Sequence, residues 1–236
     1  MSKTNHGSKG KEILEDPNAI LDKLKGSEEF FEKNKKPITY VLGGLIVVIL
    51  AFFGYRYWQD QNNEDAQIAM YDAVFAWEKD SLKRALEGDP KSDGMGLLDV
   101  ADSYSGTDAG NLANYYAGVA LLKQGKFDEA IEQLENFKSN DLLLQGLVYS
   151  LIGDAYSEKK DFENAAEYYS KAVNYKSNET FTPRYLMKLG LTHELNKDFT
   201  AASEAYKRIV EEYPNSTQIT DAKKYLAKTE GLAAAK

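Results

Sequence analysis

Few residues in this chain have side chains suited to catalysis or metal binding. His6 and His193 are its only histidines, and it contains no cysteine. A metal centre needs several converging ligands, and a histidine-assisted nucleophile needs a partner for the imidazole. Acidic pairs such as Asp128-Glu129 can supply acid and base catalysis, but here they have the pattern of solvated helix faces. The sequence therefore predicts a non-enzymatic protein without a cofactor or a metal.

The most informative segment is an uncharged apolar run from Ile38 to Tyr55. A helix over residues 37–58 covers roughly 33 Å, which matches the roughly 30 Å hydrocarbon core of a bilayer. Tyr57 and Trp58 lie at one end, where aromatic rings favour the headgroup layer. A buried core helix is the alternative, but the sequence after residue 60 has the composition of a water-soluble domain. The run therefore predicts one transmembrane helix.

The charges around the run predict its orientation. Lysines are concentrated on the N-terminal side, whereas residues 57–76 contain no Lys or Arg and several acidic residues. Because positive charge is retained in the cytoplasm, we expect a cytoplasmic N-terminus and a C-terminal domain across the membrane. No small-x-small cleavage site follows the run, so we expect an uncleaved signal anchor.

The domain beyond the membrane is acidic. From residue 59 onward the chain has 20 Lys and Arg against 30 Asp and Glu, a formal net charge of −10. Such a domain repels nucleic acid and anionic headgroups. We therefore expect no nucleic-acid partner. Membrane lipid is an expected partner of the membrane-anchored chain.

Residues 1–36 form the predicted cytoplasmic tail. Its first twelve residues are polar and without periodicity, which predicts disorder. A short amphipathic helix is predicted after Pro17, and a second helix is predicted to start at Ser27.

Beyond the membrane the sequence repeats with a period of about 35 residues. The three copies are residues 111–144, 146–179 and 183–216, and four positions align in all of them. They are Gly118, Gly153 and Gly190; Phe127, Phe162 and Phe199; Ala130, Ala165 and Ala202; and Leu134, Tyr169 and Tyr206. Because glycine and alanine let two helices pack closely, the pattern predicts helix-turn-helix units and resembles the tetratricopeptide repeat (TPR) family.

The predicted fold is all-α, with a single N-terminal transmembrane helix followed by a TPR α-solenoid. In residues 59–110, an apolar stripe from Ala66 to Trp77 predicts a helix that continues out of the span, with residues 61–63 as its flexible point. A second helix is predicted over residues 97–104, and the two resemble a degenerate opening repeat.

The C-terminal residues 217–236 are predicted to form a capping helix. Ser216 precedes this helix as its candidate cap, and Ile219, Ala222 and Tyr225 share one face. We expect the helix to cover the open end of the solenoid.

The sequence around the span resembles a more specific family. Aromatic and basic residues flank the span, and a Tyr-x-Ala-Val pattern follows it. The matching residues are Phe30, Phe31, Asn34, Lys36, Gly54, Arg56, Tyr57, Trp58, Tyr71, Ala73 and Val74. Together with the repeats, they are similar to the YfgM-like family of bacterial inner-membrane proteins, ancillary subunits of the SecYEG translocon.

This resemblance implies an inner-membrane protein with a periplasmic repeat domain. It implies three partners: the SecYEG translocon, a periplasmic peptidyl-prolyl isomerase of the PpiD type, and exported client proteins that are passed to chaperones during protein transport. The alternative is a generic envelope scaffold with the same fold, serving cell-wall, division or outer-membrane assembly complexes.

In TPR domains the first helix of each repeat lines a concave groove. This resemblance gives the candidate protein-binding residues Leu112, Tyr115, Val119, Leu122, Leu147, Asp154, Arg184, Met187 and Leu191. Ser150 and Asp154 stand where family members that clamp a terminal carboxylate carry Lys, Asn or Arg. We therefore expect no carboxylate clamp, and an apolar or helical segment as ligand. The alternative is that some of these residues pack against the C-terminal helix or a neighbouring repeat.

Overall fold

The structure is a computed structural model that describes residues 17–91 and 94–234, with side chains from residue 32 onward. The regular elements in these ranges are all α-helices, and the predicted all-α repeat fold is confirmed. The predicted disorder of the first twelve residues lies outside the described part. The chain divides into two compact units, Met1–Trp58 and Gln59–Lys236.

Helix α1 extends from Pro17 to Glu78. Within it lies the apolar run, which is long and apolar enough to cross a membrane and whose side chains are exposed. The predicted start at Ser27 is wrong, because the flanking residues are mostly good helix formers and α1 passes through this position unbroken. Helix α1 is therefore longer at both ends than the predicted span.

The predicted flexible point at residues 61–63 is also wrong, because α1 continues through it. The side chain of Asn63 accepts a hydrogen bond from the backbone N–H of Ala109 at 2.9 Å. Gln59 donates through Nε2 to the carbonyl oxygen of Gly106 at 3.1 Å. These amides thus bond to the turn before the first repeat instead of interrupting their own helix.

Two short helices follow, α2 (Leu82–Glu87) and α3 (Leu97–Ser103). The stripe predicted on the last part of α1 is buried at Ala66, Met70 and Ala73, as expected. It packs in a cluster with residues of α2, α3 and the first repeat. Helix α2 was not predicted, since six residues are too few to show helical periodicity.

The three repeats are helix pairs, and each helix packs on the next one along the chain. Their bounds are α4 (Asp108–Lys123) with α5 (Phe127–Asn136), α6 (Leu144–Glu158) with α7 (Phe162–Asn174), and α8 (Thr182–Leu195) with α9 (Phe199–Glu212). The last described helix, α10 (Ile219–Ala234), packs on α9.

The repeat glycines mark the closest approach of the paired helices. Each glycine faces a large side chain of the second helix of its own repeat: Gly118 faces Leu134, Gly153 faces Tyr169, and Gly190 faces Tyr206. A Cβ atom added at Gly153 would lie 2.7 Å from Cδ1 of Tyr169, so no larger residue fits without displacing the ring. This confirms the predicted role of Gly153.

The turn inside each repeat has one residue with positive φ. These residues are Gly125 (72°), Lys160 (61°) and Lys197 (62°). Asp161 and Asp198 follow the two lysines and cap α7 and α9, accepting backbone N–H bonds at 3.2 and 3.0 Å. The first repeat has the favoured glycine at this position but no side-chain cap on its second helix. The second and third repeats have a lysine at this position and an aspartate cap.

Helix α10 covers the last repeat through Ala222 and Tyr225, whose ring stacks on Tyr206 at a centroid distance of 5.4 Å. The predicted cap at Ser216 is wrong. Its hydroxyl is buried and has no hydrogen-bond partner among the described residues. Instead its carbonyl oxygen accepts the N–H of Ile219 at 3.2 Å, so Ser216 forms part of the turn before α10.

Candidate protein-binding groove

The nine residues predicted to line the groove lie on the first helices of the three repeats. Four are on α4 (Leu112, Tyr115, Val119, Leu122), two on α6 (Leu147, Asp154) and three on α8 (Arg184, Met187, Leu191). Their surroundings differ from helix to helix, so the three helices are described in turn.

The four residues of α4 are partly buried. The Tyr115 ring lies 5.6 Å from that of Phe137 and 5.5 Å from that of Tyr116. Leu122 packs against two core clusters. Burial raises the pKa of the Tyr115 hydroxyl, which therefore stays neutral at physiological pH. Much of this lining is therefore already in contact with the chain's own residues.

On α6, Asp154 forms an ion pair with Lys188 of the next repeat. Lys188 Nζ lies 2.7 Å from both carboxylate oxygens of Asp154 and 3.1 Å from the hydroxyl oxygen of Ser150. The Tyr169 hydroxyl donates to Oδ1 of Asp154 at 2.6 Å. Burial and the nearby Asp154 carboxylate raise the pKa of Tyr169, so this donor stays protonated. Asp154 therefore joins the second and third repeats, and its charge is neutralised there.

Helix α8 carries the two exposed residues of the nine, Arg184 and Leu191. Arg184 is exposed beside the Phe181 ring, and Met187 is partly buried. Leu191 is 40% exposed, and Leu195, which the sequence reasoning missed, is 56% exposed. Met187, Leu191 and Leu195 are spaced four residues apart, so they lie along one face of the helix. We call these three residues the α8 ridge.

A second ionic bridge closes the C-terminal end. The Tyr206 hydroxyl donates to Glu194 Oε1 at 2.8 Å, and Lys228 Nζ of α10 lies 2.5 Å from Glu194 Oε2. Burial and the Glu194 carboxylate raise the pKa of Tyr206. The second and third repeats thus share one arrangement, in which the tyrosine that faces the glycine donates to a carboxylate bound by a lysine of the next unit.

Sequence reasoning missed the roles of Lys188 and Lys228. Neither lysine occupies a repeated position, and each meets its carboxylate only after adjacent units pack. Ser150 is 1% exposed, and the lysine beside it, Lys188, is paired with Asp154. Neither Ser150 nor Asp154 supplies a free cation that could bind a terminal carboxylate. The absence of a carboxylate clamp remains a prediction.

A polar cleft of about 650 Å³ opens between α3, α4 and α5. Asp102, Asp108, Glu132 and Gln133 are among its lining residues, and none of the predicted groove residues is. The described side chains include no set of His, Asp and Glu residues placed to hold a metal ion. The cleft is therefore separate from the candidate groove.

Known families match most of the described chain. Residues 28–141 match a family described as a tetratricopeptide repeat-like domain. Residues 115–179 and 150–217 match the tetratricopeptide repeat family. No curated protein has significant sequence similarity to the chain. The chain therefore contains tetratricopeptide-like domains, which are typical of protein-binding scaffolds.

Proposed function

We propose that this protein is a non-enzymatic, membrane-anchored adaptor that acts as an ancillary subunit of the SecYEG translocon. In this role the repeat domain contacts a PpiD-like isomerase in the periplasm and aids the handover of exported proteins. The observation that carries the protein-binding part is the α8 ridge, an accessible apolar face on a groove helix. The translocon part is supported by the resemblance of residues 30–74 to the YfgM-like family.

The anchor in this proposal is the apolar part of α1. Its side chains are exposed, so its apolar surface is available to lipid. The lysines before it and the acidic residues after it favour a cytoplasmic N-terminus. A periplasmic reporter fused after Lys236 should be active, and protease added to spheroplasts should remove the repeat domain. A repeat domain that is protected until the inner membrane is lysed would contradict this orientation.

The ligand in this proposal is an apolar or helical segment of a partner protein. The α8 ridge offers three flexible or branched apolar side chains at helical spacing, which suits a partner that buries an apolar stripe. Asp154 and Glu194 are neutralised by lysines, so neither adds an unpaired charge to this surface. The ridge is therefore the part of the groove that we assign to recognition.

A photo-crosslinker at Leu191 in the full-length protein tests the groove. We expect it to trap a translocon subunit, the isomerase or an emerging exported chain in native membranes. The matched control is Glu163, an exposed residue on the second helix of repeat two. Crosslinks from Glu163 alone would contradict groove binding and leave the membrane helix as the docking element.

Gentle detergent extraction separates the translocon role from the alternative, a generic envelope scaffold. The proposal expects the SecYEG core to co-purify with the full-length protein. The double variant Leu191→Glu/Leu195→Glu should lose a groove partner while it retains its anchor. Recovery of cell-wall, division or outer-membrane assembly proteins without the translocon would favour the scaffold instead.

A further inference from the structure

The last part of α1 has a second apolar face that none of the described residues of the repeat domain covers. Ile68, Tyr71 and Phe75 are 75%, 72% and 53% exposed. At 3.6 residues per turn they lie within about 60° of arc, on the side of the helix opposite the buried Ala66 and Met70. We call these three residues the α1 stripe. Single exposed apolar residues are common, but three in line on one helix face indicate an interaction surface.

The charges beside the α1 stripe are mainly acidic. Glu64, Asp72 and Glu78 are exposed and lie one turn or less from a stripe residue. The base on this face is Lys79, whose Nζ lies 5.3 Å from the centroid of the Phe75 ring. Arg84 of the neighbouring α2 is paired with Asp89 at 3.0 Å. An apolar centre with an acidic rim is complementary to an apolar centre with a basic rim.

We propose that the α1 stripe docks an amphipathic helix of another protein that carries an apolar face flanked by Lys and Arg. The spacing of the three residues matches helix-against-helix packing, in which side chains at i, i+3 and i+7 form the contacting ridge. Tyr71 and Phe75 supply the large rings that dominate such contacts, and the Tyr71 hydroxyl can bond at the edge. This surface is distinct from the α8 ridge and does not depend on groove binding.

The same charges argue against the two other occupants. In a symmetric dimer through this stripe, Glu64, Asp72 and Glu78 would meet the same acidic residues of the second copy. An anionic lipid surface would be repelled by the same carboxylates. Both remain as outcomes of the experiment, where each would overturn the proposal.

The test uses the full-length protein in native membranes, with a benzophenone amino acid in place of Tyr71. The expected product joins this chain to a peptide of a different protein, with apolar residues three or four apart and at least two Lys or Arg flanking them. The same label at Lys207, an exposed residue of α9, is the control. A product with a second copy, a product with lipid, a peptide without basic flanks, or no product above the control would each overturn the proposal.

Charge reversal provides the second arm. Asp72→Lys/Glu78→Lys should lower the yield from position 71 by about fivefold or more, and Asp72→Asn/Glu78→Gln should lower it less. Glu163→Lys, at an exposed position on α7, is the matched control and should leave the yield unchanged. The melting temperature of each variant is measured in parallel, and a yield that survives reversal in a folded variant would overturn the proposal. Leu191→Glu, which alters the α8 ridge, should not affect this crosslink. A failure of the α1-stripe proposal can therefore be told apart from a failure of groove binding.

Discussion

The hydroxyl of Tyr169 donates a hydrogen bond of 2.6 Å to Oδ1 of Asp154 on the paired helix. The same tyrosine ring packs against Gly153, one residue earlier on that helix. A single side chain thus fills the seam of the second repeat and, through Asp154, holds Lys188 of the third. Packing within a repeat and attachment between repeats are joined at this tyrosine.

Tyr169→Phe should therefore destabilise the domain while the helix seam stays filled. Loss of a hydrogen bond to a partly buried carboxylate should lower the free energy of unfolding by about 1 kcal/mol. The matched control, Tyr71→Phe, removes a solvent-exposed hydroxyl and should change stability by less than about 0.5 kcal/mol. Urea unfolding followed by circular dichroism measures both, and equal values for the two variants would contradict the bond's contribution.

Gly153→Leu should destabilise the domain more than the loss of a hydroxyl does. A Cβ at this position would lie 2.7 Å from the Tyr169 ring, so the larger side chain overpacks the seam, at a cost of about 1 to 3 kcal/mol or more. Lys207→Ala, at a surface ion pair on α9, should cost less than about 0.5 kcal/mol. Thermal melting compares them, and identical melting temperatures would refute the predicted repeat register.

Lys160→Gly should stabilise the second repeat. Lys160 has φ of 61°, a left-handed conformation that favours glycine, and the equivalent position of the first repeat is Gly125. Relief of this strain should add about 0.5 to 1 kcal/mol. Lys159→Gly is the control, because Lys159 has helical φ of −72° and glycine there should be destabilising. If both glycine variants shifted the urea midpoint in the same direction, the strain would not be the cause.

Lys126→Asn should stabilise the first repeat by adding a missing helix cap. Lys126 precedes α5 with φ −89° and ψ 70°, nearly the backbone geometry in which Asp161 caps α7, but it makes no side-chain cap. The asparagine side chain can accept a hydrogen bond from a backbone N–H in the first turn of α5 without adding charge beside Asp128. The expected gain in the free energy of unfolding is about 0.5 to 1 kcal/mol. Asp161→Ala should lose about 1 kcal/mol. A chemical unfolding series checks both signs.

His193 should make the domain less stable in mild acid. Burial lowers the pKa of its imidazole, and the carboxylates of Asp198 and Glu204 offset this only in part. Because the unfolded state then binds a proton more readily, stability present above pH about 6.5 is lost as the pH falls from there through the folded-state pKa. Between pH 7.5 and 5.5 the urea midpoint of unfolding should fall further for the wild type than for His193→Gln. Parallel pH profiles would contradict this.

Much of the architecture follows from the sequence, because it depends on local periodicity. The stripe from Ala66 to Trp77 recurs at helical spacing, the Gly, Phe and Ala positions recur once in each repeat, and the run from Ile38 to Tyr55 is continuously uncharged. Such patterns record which face of a helix must avoid water, whatever the partner is. They predicted the all-α repeat fold, the candidate membrane helix and the close contact at Gly153.

Other features were decided only when separate helices came together. Asp154 is a groove position in the repeat pattern. Lys188, which lies on the first helix of the next repeat, neutralises its charge. The polar residues 61–63 predict a flexible point, yet the Asn63 side chain accepts a hydrogen bond from the backbone N–H of Ala109. These pairings join residues 34 and 46 positions apart, and no local pattern specifies such distances. The sequence alone determined which faces are apolar, and tertiary packing decided which of them, and which charges, remain free.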